Sequence, residues 1–162
     1  MNRSILKIII LLSIFLGIVS GLLTIVPYAG EVIFWLLLLI AAPVVILFMT
    51  KVEVLEIATV RQSAVIGGII GFISFLAFCA VYVPAVIVLA KFFNYSANLG
   101  VSMFLSNATF GVMIMLAIFM GVLSATINAF SGFVTYYLIE FTKTLNPPQK
   151  NSFDEYDMRN YK

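Results

Sequence analysis

Four long apolar stretches, at residues 5–26, 32–49, 63–90 and 108–138, are separated by short segments that carry nearly all of the charge. A bilayer core about 30 Å thick is crossed by about 20 apolar residues rising 1.5 Å each, so every stretch predicts a transmembrane helix. Residues 1–141 then form one four-span membrane domain, and residues 142–162, with Pro147, Pro148 and five charges from Lys150 to Arg159, are too polar to fold alone. The expected fold class is an all-α integral membrane protein: a four-transmembrane-helix bundle with a short disordered tail.

Inside these stretches the small and polar residues recur at helical spacing. In the first, Gly17 and Gly21 share a side with Ser13, Ser20 and Thr24. The third carries Ala64, Gly67, Gly71 and Ser74, with Gly68 beside them, and is expected to be the central helix of the bundle. Along the fourth, Ala117, Gly121, Ser124, Asn128, Gly132 and Thr135 make the clearest stripe in the chain. Between membrane helices there is little hydrophobic force, so close backbone approach at small residues supplies the attraction. The expected helix-packing residues are Gly17, Gly21, Gly67, Gly71, Gly121, Ser124, Asn128 and Gly132. Asn128 is read as interhelical glue, in preference to a polar path shared with Ser124 and Thr135. The shared spacing of Gly17–Gly21 and Gly67–Gly71 raises the idea of a duplicated hairpin.

The second stretch is mostly Leu, Ile and Val and lacks a small-residue face, so it is expected to be the most lipid-exposed helix. Trp35 suits a headgroup layer, and kinks are expected at Pro43 and Pro84. Residues 108–139 as one helix would measure about 48 Å, so that helix must tilt or protrude. The segment from Thr50 to Gln62, with Lys51, Glu53, Glu56 and Arg61 among apolar residues, reads equally as a short interfacial helix or a solvated turn. A basic start with Arg3 and Lys7 is expected to open the first span rather than a cleaved leader. Asn94-Tyr95-Ser96 and Asn107-Ala108-Thr109 match the glycosylation pattern at chance frequency.

Charge then orients the chain. Arg3, Lys7, Lys51, Arg61, Lys143, Lys150, Arg159 and Lys162 fall on one side of a four-span arrangement, with Lys91 alone on the other, which predicts that both termini are cytoplasmic. Residues are 63% hydrophobic and 10% charged, and the mean hydropathy is +1.16, beyond what a soluble domain of 162 residues can bury. A net charge of +2 gives no reason to expect nucleic acid as a partner. The expected surroundings are the lipid bilayer and either a homo-oligomer or a larger membrane complex.

Candidate chemistry narrows the function further. There is no histidine, and the single Cys79 lies in an apolar run, so neither an imidazole base nor a thiolate metal site is at hand. Glu31, Glu53, Glu56 and Glu140 lie near span ends, and no carboxylate sits in a membrane core to suggest an ion path. Ser74 and Ser124 have no Lys or His at comparable depth to activate them. No catalytic residue, cofactor or metal is therefore expected. In size and span count the chain is similar to small multidrug transporters, but Ser13 and Gly17 stand where their first-span glutamate would. The expected role is a non-enzymatic structural or accessory membrane subunit acting through helix packing, with an oligomeric pore or small-solute transporter as the alternative.

Overall fold

The computed structural model describes residues 3–26, 29–52, 59–93, 103 and 107–145. Four helices, each long and apolar enough to cross a membrane, account for nearly all of them. They are α1 (Arg3–Leu23), α2 (Ala29–Lys51), α3 (Val60–Phe93) and α4 (Phe110–Leu145). α1 closes in a tight turn, where the Thr24 amide and hydroxyl both donate to the Ser20 carbonyl at 3.0 and 2.7 Å. α3 opens under a cap, the Thr59 hydroxyl accepting from the Gln62 amide at 3.2 Å. Glu31 lies in the first turn of α2, and Lys51, Lys91 and Lys143 lie in the last turns of α2, α3 and α4, each with the sign that complements the helix dipole.

The helices alternate in direction. Gly17 and Gly21 meet α3 at Ser74 and Phe78, so α1 and α3 run the same way, whereas Ser63, Gly67 and Gly71 meet Gly132, Asn128 and Ser124 in reverse order along α4. α2 runs with α4, its Leu38 and Ala42 bonded to Asn128 and its Ile46 against Gly132. The start of α1, the end of α2, the start of α3 and the end of α4 therefore share one end of the molecule. α3 touches each of the other three helices.

Two expectations need correction. α2 is not the most lipid-exposed helix: it buries Leu37, Leu38, Ala41, Ala42, Val45, Ile46 and Met49 against all three neighbours. Large aliphatic side chains pack against protein or lipid equally well, so the lack of a glycine stripe did not decide the matter, and Ala41 and Ala42 supply the close approach. It is α4 that buries least, only Gly121, Ser124, Asn128, Gly132 and Thr135. The second correction concerns the end of α4, which stays helical to Leu145 rather than stopping before Thr142, with the Thr142 and Thr144 hydroxyls donating back to the Ile139 and Glu140 carbonyls. α2 and α3 each continue through their proline, Pro43 and Pro84. The segment 53–58, residues 94–102 and the tail 146–162 lie outside the described residues, and with them the interfacial-helix, Asn94 and disordered-tail expectations.

Aromatic rings fill the core between α2 and α3. Phe34 meets Phe75 and Phe78 with ring centroids 6.2 and 6.0 Å apart, and Tyr82 stacks on Phe78 at 5.1 Å.

Candidate functional site: a buried polar seam

The stripe on α4 meets the glycines of α3 along a single seam. A Cβ at Gly67 would collide with the Asn128 carbonyl oxygen, and one at Gly71 would lie 2.6 Å from both the Ser124 carbonyl oxygen and Asn128 Cβ. At the next level a Cβ on Gly132 would stand 2.7 Å from the Ser63 carbonyl oxygen. Only glycine permits this backbone separation. Gly121 ends the seam more loosely, with the Phe72 ring 3.3 Å from where its Cβ would be. Gly68 faces Ala125 and Ala129 at ordinary contact distance.

Hydroxyls stitch the same seam. Ser63 Oγ donates to the Gly132 carbonyl at 2.6 Å, and Ser124 Oγ donates to the Gly71 carbonyl at 3.0 Å. Ser63, Ser74, Ser124 and Asn128 are all fully buried. Ser63 extends the α3 glycine face by one turn; the 63–67–71–74 spacing carries that signal, although the sequence reading began the face at Ala64.

Asn128 reaches beyond the seam into α2. Its Oδ1 accepts from the Ala42 amide at 2.8 Å, and its Nδ2 donates to the Leu38 carbonyl at 2.8 Å and the Ser124 carbonyl at 3.0 Å. Ala42 and Leu38 are the amide and carbonyl that a regular α-helix would pair with each other. One side chain of α4 thus holds both halves of a rung in α2. The rung lies next to Pro43, whose ring crowds the preceding turn and whose missing N–H already interrupts the ladder. The amide orientation is determined as well: turning it over would point Oδ1 at two carbonyl oxygens and Nδ2 at an N–H. Nothing in the sequence around Asn128 named Leu38 and Ala42 as its partners, because backbone groups leave no residue-type signature; Pro43 was the available hint.

On its other side α3 meets α1. A Cβ at Gly17 would collide with the Ser74 carbonyl oxygen and lie 2.8 Å from Ala77 Cβ, while one at Gly21 would sit 3.2 Å from the Phe78 carbonyl oxygen and from Val81 Cβ. The two glycine pairs therefore face different partners, Gly17–Gly21 facing α3 and Gly67–Gly71 facing α4. Ser13 Oγ donates back to its own helix at the Ile9 carbonyl, 2.7 Å away, and Thr135 does the same to Ser131 at 2.7 Å.

The seam can hold helices together, and its polar capacity is spent in doing so. Among the described residues no buried side-chain nitrogen or oxygen lacks a hydrogen-bond partner. Both protons of the Asn128 amide go to carbonyls of this chain. No protein-family model, curated protein or solved structure matches the chain.

Proposed function

We propose that this chain is a non-enzymatic integral membrane protein, a structural or accessory subunit whose four helices span the bilayer and whose action is to present a fixed helical surface. The observation that carries this reading is the hydrogen-bonding of Asn128 and its seam, which couples α2, α3 and α4, while among the described residues every buried side-chain nitrogen and oxygen has a hydrogen-bond partner. Ionisable residues inside a span mark ion and proton pathways, and among the described residues none that is buried is ionisable. Both termini are assigned to the cytoplasm, since Arg3, Lys7, Lys51, Arg61 and Lys143 belong to helix ends at one end of the molecule and Lys91 to the other.

The test is affinity isolation of the tagged protein in mild detergent, paired with flux measurements on the purified protein in liposomes. A stable complex containing other membrane proteins or further copies of the chain is the expected result. Ion or small-solute flux from the purified protein alone, abolished by Asn128→Leu, would overturn the reading in favour of a pore or carrier.

A further inference from the structure

Two neighbouring rungs of α2 lack a direct backbone bond. Pro43 has no N–H, so the Leu39 carbonyl loses its ordinary donor. The Ala42 N–H has one proton and gives it to Asn128 Oδ1 at 2.8 Å, while the Leu38 carbonyl receives Asn128 Nδ2 at 2.8 Å. A side-chain amide from α4 thus stands where the Leu38–Ala42 bond would run. A turn of α-helix has about 3.6 residues and as many rungs, so at this level about half of them are missing. A proline and a group inserted into the ladder are each causes of a helix bend, and α2 has both at adjacent residues.

The two sides of this joint have different neighbours. Toward Ala29, Phe34 lies against Phe75 and Phe78 of α3, and Gly30 packs on Thr24 just past the end of α1. Toward Lys51, Ile46 lies against Gly132 of α4. Closing the joint costs little hydrogen bonding. The Leu38 and Ala42 groups then pair with each other, and Nδ2 keeps the Ser124 carbonyl at 3.0 Å. Oδ1 needs a new donor, and Ser124 Oγ, 3.4 Å from Nδ2, is placed to serve, since the Gly71 carbonyl it leaves keeps Ser74 Oγ at 3.3 Å. Three hydrogen bonds then stand in place of four. A difference of one bond between two arrangements of one core is small enough for both to be populated.

We propose that α2 is a jointed helix with two positions: the observed one, in which Asn128 holds the Leu38–Ala42 rung open, and a second, in which the rung is closed and residues 29–37 are turned relative to residues 43–51. The position is set by where α4 stands. A displacement of α4 against α3 carries Asn128 out of the rung, so the joint passes a change at the α3–α4 seam to the Ala29 end of α2, where Trp35 and Leu36 are exposed. The inference goes beyond the accessory reading: it needs only the bonds of Asn128 and holds equally for a carrier.

The test is nuclear magnetic resonance on the full chain in lipid nanodiscs, with alanine labelled by carbon-13 at its carbonyl and by nitrogen-15, and tryptophan by nitrogen-15. Ala41–Ala42 is the one Ala–Ala pair in the sequence, so selecting labelled nitrogen bonded to a labelled carbonyl leaves the Ala42 amide as a single signal. Trp35, the one tryptophan, gives a single indole signal. Asn128→Leu empties the rung and should move both signals to the closed position. Gly67→Ala, whose methyl would press on Asn128 and Ala129 of α4, should move the Ala42 signal part of the way along the same line, as a shifted equilibrium between two positions does. Pro43→Ala returns the donor of the second rung and stiffens the joint. In that background Asn128→Leu should still move Ala42 but shift Trp35 by about half as much or less. An unmoved Trp35 in Asn128→Leu overturns the proposal, and so does a Gly67→Ala signal off the line or a Trp35 shift that Pro43→Ala leaves undiminished. Should Asn128→Leu give no folded spectrum, Asn128→Ala, which adds no volume, supplies the closed position.

Discussion

Asn128 shows how much depends on geometry rather than on polarity. Replacing it with leucine frees the Ala42 amide and the Leu38 carbonyl, yet these two can turn to each other and restore a regular helical rung. Asn128→Leu should therefore cost only about 1 kcal/mol of resistance to unfolding in detergent, in the range measured for polar contacts between membrane helices. Asn128→Asp keeps the shape but sets a carboxylate against the Leu38 and Ser124 carbonyls, with its charge buried and unpaired. It should cost about 2 to 3 kcal/mol, more than leucine does. Comparing the two melting curves at neutral pH decides the point: if aspartate is tolerated as well as leucine, the donor side of the amide contributes nothing. Asn128 could be singled out from the sequence because an amide inside a long apolar run requires a partner. Its partners could not, because any backbone carbonyl or amide at that depth would have served.

At the scale of helices, the glycines separate into those that touch a backbone and those that do not. A side chain at Gly67 or Gly71 meets the Asn128 or Ser124 carbonyl oxygens, which cannot move without moving α4, so Gly67→Leu and Gly71→Leu should each lower stability by about 1 to 3 kcal/mol. Gly111, with nothing within 4 Å of its missing Cβ, is the matched control, and Gly111→Leu should be neutral or slightly stabilising through helix propensity. On α2, Leu39→Phe should also be neutral because Leu39 is 50% exposed, whereas Leu38→Phe should destabilise because Leu38 is 5% exposed. Thermal unfolding of all five variants in one detergent checks these outcomes; leucine at 67 or 71 as harmless as leucine at 111 would show that the α3–α4 seam is not a tight contact. The stripe 121–124–128–132–135 was legible because α4 buries so little that its few small residues stand out at helical spacing. α2 was illegible for the opposite reason. Leucine and isoleucine occupy both its buried and its exposed positions, and nothing in residue type distinguishes Leu38 from Leu39.

Which way the whole molecule lies across a membrane is decided at its ends. The alternating helix directions gather Arg3, Lys7, Lys51, Arg61 and Lys143 at one end, and moving those charges across a bilayer opposes the bias that retains Lys and Arg on the cytoplasmic side. With Cys79→Ala as background, single cysteines at Ser4, Thr59 and Ser152 should be shielded from an impermeant thiol reagent in intact cells and react only after lysis. One at Asn98, between α3 and α4, should react without lysis. The Thr59 variant is the most discriminating, because its residue caps α3 beside Arg61 and shares a side with Ser4 only if α1 and α2 do not differ in whether they cross. Labelling of Thr59→Cys in intact cells, with Ser4→Cys still protected, would mean that only one of α1 and α2 crosses. The lengths argue against that result, which requires one of the two helices not to cross: α2 has about 28 Å of uncharged helix, close to the roughly 30 Å of a hydrocarbon core, and the 21 residues of α1 rise about 31 Å.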